Sequence, residues 1–309
     1  MDETEELLRH CTLCPRQCGV DRRTEKGFCG MGAQVRAARA ALHRWEEPCI
    51  SGERGTGAVF FSGCTLRCCF CQNGALSAEG FGRELAPKRL EEIFLALQDE
   101  GAQSLSLISP TPFAGQIAAA LEAVRPRLRL PVVYNTGGYE RVETLRRLDG
   151  LVDVYLPDLK YKSAALSARY SAAPDYFAQA SRALGEMVRQ TGAPRLAADG
   201  ILQKGTLVRH LVLPGGWRDS VAVFEWLAGA FPGGQVLVSL MNQYTPAFVR
   251  GDFPELRRRV TTFEYRKVLE RVQELGFEGY CQDRSSASAV YTPDFDLTGL
   301  EPKENSKGE

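Results

Sequence analysis

The chain has 309 residues, with 38 Lys plus Arg against 38 Asp plus Glu, so its formal net charge is zero. That balance excludes a general polyanion binder, which needs a basic excess to neutralise phosphates, and an acidic disordered chain. Hydrophobic residues make up 44 %, and a chain of about 300 residues can bury about three quarters of its unfolded surface, so a large core is available. Residues 1–52 form a cysteine-rich, arginine-rich segment without clear periodicity, closed by the loop Ser51-Gly-Glu-Arg-Gly-Thr-Gly57. From Ala58 onward, short apolar runs alternate with amphipathic stretches. The runs at 58–61, 105–108, 131–134, 152–156, 207–213 and 236–240 predict six buried strands. The stretches 90–97, 117–124, 142–148, 175–191, 221–230 and 265–275 predict helices between and after them. Continuous apolar strands alternating with helices predict a parallel sheet covered by helices. Six units are fewer than the eight of a closed barrel, so the expected fold is α/β, an open partial (β/α)6 TIM-like barrel over 53–283, with an open doubly wound sheet as competitor. The polar tail 284–309 is expected to end in disorder.

No apolar stretch nears the roughly 18 residues that span a bilayer, and the acidic start Met1-Asp-Glu-Thr-Glu-Glu6 is no secretory signal. A cytoplasmic protein without a membrane partner is expected. Nine of the ten cysteines precede residue 72. In a reducing compartment such crowding reads as metal or iron–sulfur ligation rather than disulfides.

The strongest motif is Cys64-Thr-Leu-Arg-Cys68-Cys-Phe-Cys71. Cys64, Cys68 and Cys71 are spaced CxxxCxxC on the loop after the first predicted barrel strand, at the end where barrel active sites are built. Three thiolates can hold three irons of a 4Fe–4S cluster and leave the fourth iron open. An open iron can chelate the amino and carboxylate groups of S-adenosylmethionine (SAM), and an electron from the cluster can then break its sulfonium carbon–sulfur bond. A structural zinc site is the competing reading, but zinc favours four closed ligands. Cys69 breaks the spacing and is read as a non-ligand thiol. Cys11, Cys14, Cys18 and Cys29 offer a second thiol set for zinc or an auxiliary iron–sulfur cluster, with Cys49 able either to replace one of them or to lie close to the cluster mouth as a reactive thiol. Arg16, Arg22 and Arg23 beside this knuckle read as solvated charges rather than a nucleic-acid patch.

The run Phe61-Ser-Gly-Cys64 through Cys71-Gln-Asn73 resembles the cluster loop of the radical SAM superfamily. More narrowly, the chain resembles the pyruvate formate-lyase-activating-enzyme-like branch. The resemblance rests on Cys11-Thr-Leu-Cys-Pro-Arg-Gln-Cys18, Glu47-Pro-Cys-Ile-Ser-Gly52, Tyr134-Asn-Thr-Gly-Gly-Tyr-Glu140, Tyr155-Leu-Pro-Asp-Leu-Lys160, Val208-Arg-His-Leu-Val-Leu-Pro-Gly215 and Ser239-Leu-Met-Asn-Gln-Tyr244. It implies a 4Fe–4S cluster at Cys64, Cys68 and Cys71, and an oxidoreductase that splits SAM to abstract a hydrogen atom. The Gly-Gly-Glu motif that usually meets the SAM amine is replaced by Ser106-Leu-Ile-Ser-Pro-Thr-Pro112, leaving Ser109 and Thr111 as candidate contacts. Asn135 stands where the activating enzymes carry an Asp near SAM. Asp158 and Lys160 lie on one face of an extended segment, an acid and a base able to hold the SAM carboxylate and ribose. The resemblance makes Arg209 inward-facing and leaves His210 structural, while Gln243 and Tyr244 end the last predicted barrel strand near the adenosine.

The expected partners are an electron donor such as flavodoxin or ferredoxin and a protein or peptide substrate, with no nucleic acid. A glycine of a partner enzyme is the best-named substrate. The alternative of another class is a non-catalytic zinc or iron–sulfur scaffold or electron-transfer module. GxSxG, HExxH and a P-loop are absent from the sequence.

Overall fold

The computed structural model describes residues 3–282 and 293–301. In chain order the elements are α1 (Glu3–Arg9), β1 (Val35–His43), α2 (Pro48–Ser51), β2 (Thr56–Phe61), α3 (Gly74–Ser77), β3 (Arg83–Leu85) and α4 (Pro87–Asp99). There follow β4 (Leu105–Ile108), α5 (Ala114–Val124), β5 (Val132–Thr136), α6 (Val142–Arg146), β6 (Val154–Pro157), α7 (Ala164–Ser171), α8 (Tyr176–Thr191) and β7 (Arg195–Leu196). The last are β8 (Leu202–Leu211), α9 (Trp217–Ala230), β9 (Leu237–Met241), α10 (Thr262–Glu274) and β10 (Gly279–Cys281).

The sheet order is β10-β9-β8-β6-β5-β4-β2-β1-β3. Every neighbour pair from β2 through β10 is parallel, giving the expected α/β partial barrel. All six predicted strands form. β10 adds a seventh parallel strand that three residues were too few to announce. α10 starts at a capping box: Thr261 accepts from the Glu264 backbone while the Glu264 carboxylate accepts from the Thr261 backbone.

The cysteine-rich N-terminal segment contributes β1 to this sheet. β1 runs antiparallel to β2, from Ala37 opposite Phe61 to His43 opposite Thr56. Its sequence, Val-Arg-Ala-Ala-Arg-Ala-Ala-Leu-His, is rich in strong helix formers, and pairing with β2 overrides that preference. Most of the polar tail, 284–292 and 302–309, lies outside the described residues. The described part of it packs on β1: Leu297 N–H donates to Ala38 O at 3.0 Å, and Ala40 N–H to Thr298 O at 2.8 Å. This covers an edge that would otherwise stay unpaired.

Outward-facing strand residues such as Val59, Leu107, Tyr134 and Tyr155 pack beneath the helices. Inward-facing Val133, Val154, Leu156, Leu207 and Leu237 form a separate cluster with Cys49 and Ile50 of α2. α2 is therefore a plug in the lower barrel. Cys49 belongs to this plug and not to the N-terminal thiol set, which corrects the expectation that it could serve there.

Candidate active site

Side chains alternate along a strand with period 2. On the inward face this alternation changes chemistry toward the C-terminal strand ends: Val133 is followed by Asn135, Leu156 by Asp158, Leu207 by Arg209 and Leu237 by Ser239. An apolar lower barrel thus opens into a polar cavity of about 500 Å³. Ser109, Asn135, Asp158, Lys160, Arg209, Gln243 and Tyr244 line it, together with Cys64, Cys68 and Cys71. Every one of these was a candidate from sequence.

Thr111 is the exception. Its side chain is buried, and its hydroxyl donates to Glu140 Oε1 at 2.5 Å, away from the cavity lining. Ser109, two residues earlier, does face the cavity and holds a left-handed backbone at φ +57°. Such strain in a non-glycine residue concentrates at functional sites.

Glu46 and Glu47 also line the cavity, and sequence reasoning missed them as site residues. They immediately precede the α2 plug, which carries them inward from outside the barrel strands. Glu47 Oε1 accepts from Ser239 Oγ at 2.9 Å. Glu46 accepts from Asn135 Nδ2 at 3.1 Å and from Arg209 Nη1 at 3.4 Å. Arg209 further donates Nε to Asp158 Oδ1 at 2.9 Å and Nη2 to Asn135 Oδ1 at 2.7 Å. Lys160 Nζ donates to Asp158 Oδ2 at 2.5 Å. Both sides of the guanidinium are thus committed within the protein. Arg209, Asp158 and Lys160 thus form one linked network on the cavity wall. Burial acts to raise the Asp158 carboxyl, but Arg209 and Lys160 together hold it below the usual range.

Burial pushes the Glu46 carboxyl up to about 7, outweighing the opposing pull of Arg209. A raised folded pKa means that the fold favours the protonated form. That contribution is complete below the ordinary value of 4.5 and is lost as pH rises through about 7. Denaturant unfolding across this window is expected to lose up to about 3 kcal/mol to Glu46 alone, and Glu46→Gln to flatten the profile by that share.

His210 points the other way. Its Nδ1 lies 2.6 Å from Leu159 O and its Nε2 2.8 Å from Ser220 Oγ. Burial lowers its pKa to about 4, so it is a neutral structural histidine. Gln243 lines the cavity and accepts from Gln282 Nε2 at 3.3 Å. The Tyr244 hydroxyl donates to Leu256 O at 2.7 Å while its ring packs on Phe70.

The cluster loop leaves β2 through Gly63, at φ +83°. Cys64, Cys68 and Cys71 face the cavity, whereas Cys69 does not. The Cys69 backbone is pinned between Tyr170 O and Arg250 N–H. Ser171 Oγ lies 3.0 Å from Cys68 Sγ. Burial pushes the Cys68 thiol up to about 12 and raises that of Cys71, so bare thiolates here are costly until a metal's charge compensates them. Among the described residues, no three His, Cys, Asp or Glu side chains close round one point as ligands of a single ion. A cubane cluster asks each thiolate for a different iron, and three cavity-facing thiols beside an open volume fit that demand.

Cys11, Cys14, Cys18 and Cys29 gather beyond this loop. Cys11 interacts with Cys18, Cys14 with Cys29 and Cys11, and Cys29 with Cys11 and Cys18. The expectation of solvated arginines fails here. Arg22 is 2 % exposed, and the Arg16 guanidinium is engaged with three backbone carbonyls. Arg23 does remain at the surface, paired with Asp21 at 2.5 Å.

Among the described residues no helix is long and apolar enough to cross a membrane. An uncharacterised protein of Methanocaldococcus jannaschii is 26 % identical over 284 residues, covering 89 % of this chain and 77 % of that protein. Among solved structures, Streptococcus suis SuiB bound to precursor peptide SuiA aligns with a TM-score of 0.49 at 15 % identity, over 71 % of this chain and 46 % of that one. A radical SAM methyltransferase from Sphaerobacter thermophilus aligns with a TM-score of 0.48 at 16 % identity, over 76 % of this chain and 69 % of that one. The chain spans less than half the length of SuiB. The family model of the Radical SAM superfamily matches residues 58–163. That span takes in most of β2, the cluster loop and the strands through β6, and it is the part of the chain that is similar to the Radical SAM superfamily.

Proposed function

We propose that the protein is a radical SAM enzyme that abstracts a hydrogen atom from a substrate admitted at the barrel mouth. The observation that carries this reading is the sorting of the loop thiols: Cys64, Cys68 and Cys71 line the cavity and Cys69 does not. A 4Fe–4S cluster held there supplies the electron that splits SAM into methionine and a 5′-deoxyadenosyl radical. The chain's own part is to hold the cluster, bind SAM along Ser109 and Gln243, and exclude water with the plugged lower barrel. Asp158, Lys160 and Arg209 are engaged with one another, so they offer no ready acid or base for a second chemical step. That favours simple hydrogen abstraction, as from a glycine of a partner enzyme, with a flavodoxin or ferredoxin as electron donor.

The test is anaerobic reconstitution with iron and sulfide, followed by dithionite and SAM. Slow release of 5′-deoxyadenosine, read by mass spectrometry, is expected without substrate. A fully loaded, reduced protein that neither binds SAM nor releases this product would return the reading to a metal-binding scaffold or electron carrier.

A further inference from the structure

The cavity carries more carboxylates than cations. Among the described residues, Glu46, Glu47 and Asp158 line it against Lys160 and Arg209. His43 lines it too, but burial lowers its pKa, so it adds no charge at neutral pH. Both cations are already engaged. Lys160 meets Asp158, and Arg209 meets Asp158, Glu46 and the Asn135 amide oxygen. One carboxylate is left without a counter-charge.

That carboxylate is Glu47. The residue is 8 % exposed, and its Oε1 accepts from Ser239 Oγ. Among the described residues no donor meets its Oε2, which is left to the cavity that Glu47 lines. A buried carboxylate oxygen calls for a partner. Burial raises both the Glu46 and the Glu47 carboxyls, so without a ligand the fold favours a proton where a bound cation would stand. A single available oxygen suits the point charge of an ammonium better than the two-pronged fork of a guanidinium.

The position of Glu47 assigns the cation to a second reactant. Glu47 sits at Ser239 of β9 and acts on Tyr280 of β10. The strands β4, β5, β6 and β8 stand between β9 and β2, from which the cluster loop leaves. With Cys64, Cys68 and Cys71 as cluster ligands, the amine and carboxylate of SAM go to the open iron, and the Glu47 wall remains for the substrate. Leu211 and Met241 follow Arg209 and Ser239 by two residues, so they continue the same strand faces toward the mouth, and both line the cavity. Trp45, 63 % exposed, lines it just ahead of Glu46. A charged floor below an apolar wall fits a carbon chain that ends in a charged head.

We propose that Glu47 receives the ammonium head of an alkylamine substrate, a free amine or the lysine side chain of a peptide, whose carbon chain lies along Leu211 and Met241. This names the substrate class of the reaction proposed above and rests on that reading.

The experiment uses the full chain, before and after reconstitution with iron, sulfide and SAM. Calorimetry compares n-hexylamine with 1-hexanol, and a lysine-containing hexapeptide with its norleucine counterpart. The charged member of at least one pair is expected to bind about 10–100-fold tighter, the range for a hydrogen bond to a charged group. The pair that shows it distinguishes a free amine from a peptide. Glu47→Gln is expected to erase the preference and to leave binding of the neutral member in place. Equal binding within both pairs in wild type overturns the proposal, whether or not the variant folds. A preference that survives Glu47→Gln also overturns it. So does a Glu47→Gln protein that loses SAM affinity where wild type shows no amine preference, since the carboxylate then serves the cofactor. A wild type that takes up no cluster and binds no SAM, yet prefers the amine, refutes the radical reading and leaves the ammonium site standing.

Discussion

Arg209→Ala is expected to lower the unfolding free energy by about 3–5 kcal/mol, the range for breaking a buried ion pair from one side. The side chain is 15 % exposed, and its partners Glu46 and Asp158 are 9 % and 15 % exposed, so solvent screens little of the loss. Removing the guanidinium leaves Glu46 with only the Asn135 amide among the network contacts described and Asp158 with Lys160 alone. The penalty arises from stranded charge more than from lost volume. Arg209→Met, which keeps most of the packing, is therefore expected to cost nearly as much as alanine. Adding Glu46→Gln to Arg209→Met is expected to recover part of the loss, because the Glu46 charge is then no longer stranded while Asp158 keeps its pair with Lys160. The pH dependence has a defined sign. Glu46 already titrates near 7, and without Arg209 its carboxyl moves higher still. Below that point it protonates and the penalty shrinks, so urea unfolding at pH 5 should separate wild type and variant less than at pH 8. An equal gap at both pH values would remove Glu46 from the explanation.

This network also marks where sequence reading stops. The parallel strands were legible because each is a continuous apolar run, and the run at 105–108 matches β4 end to end. The cluster thiols were legible because a short loop fixes their spacing locally. The partners of Arg209 were not, since Glu46 lies 163 residues away in sequence and enters the barrel on a plug of only four residues. Two adjacent carboxylates ahead of the apolar turn Pro48–Ser51 were the available signal, because charges beside a buried turn need inward partners. β1 was hidden by its alanines and arginines, which favour helix in isolation. Thr111 and Ser109 shared one motif, and only the local path of the chain after β4 separates the one turned to Glu140 from the one facing the cavity.

Cys68→Ala and Cys69→Ala are adjacent substitutions with opposite expected outcomes. Cys68 faces the cavity, meets the Ser171 hydroxyl and interacts with Cys64 and Cys71. Its loss leaves two thiols for the cluster, and 5′-deoxyadenosine formation is expected to fall by more than about 100-fold, since even partners one step removed from a metal ligand change affinity or activity by about 10–100-fold. Cys69 is only half-buried, is placed by its backbone contacts to Tyr170 and Arg250, and its thiol lies among Glu255 and Arg169. Alanine there removes one small group from the packing, about 1 kcal/mol or less, and leaves the backbone contacts in place. Iron content, sulfide content and product release should match wild type. The two variants test the CxxxCxxC register directly, because a cluster held through Cys69 would exchange their phenotypes. Measuring iron and product together also separates a lost cluster from a lost catalyst: Cys68→Ala should lose both, and a Cys68→Ala protein that kept its full iron while losing product would show Cys68 acting in turnover rather than as a required ligand.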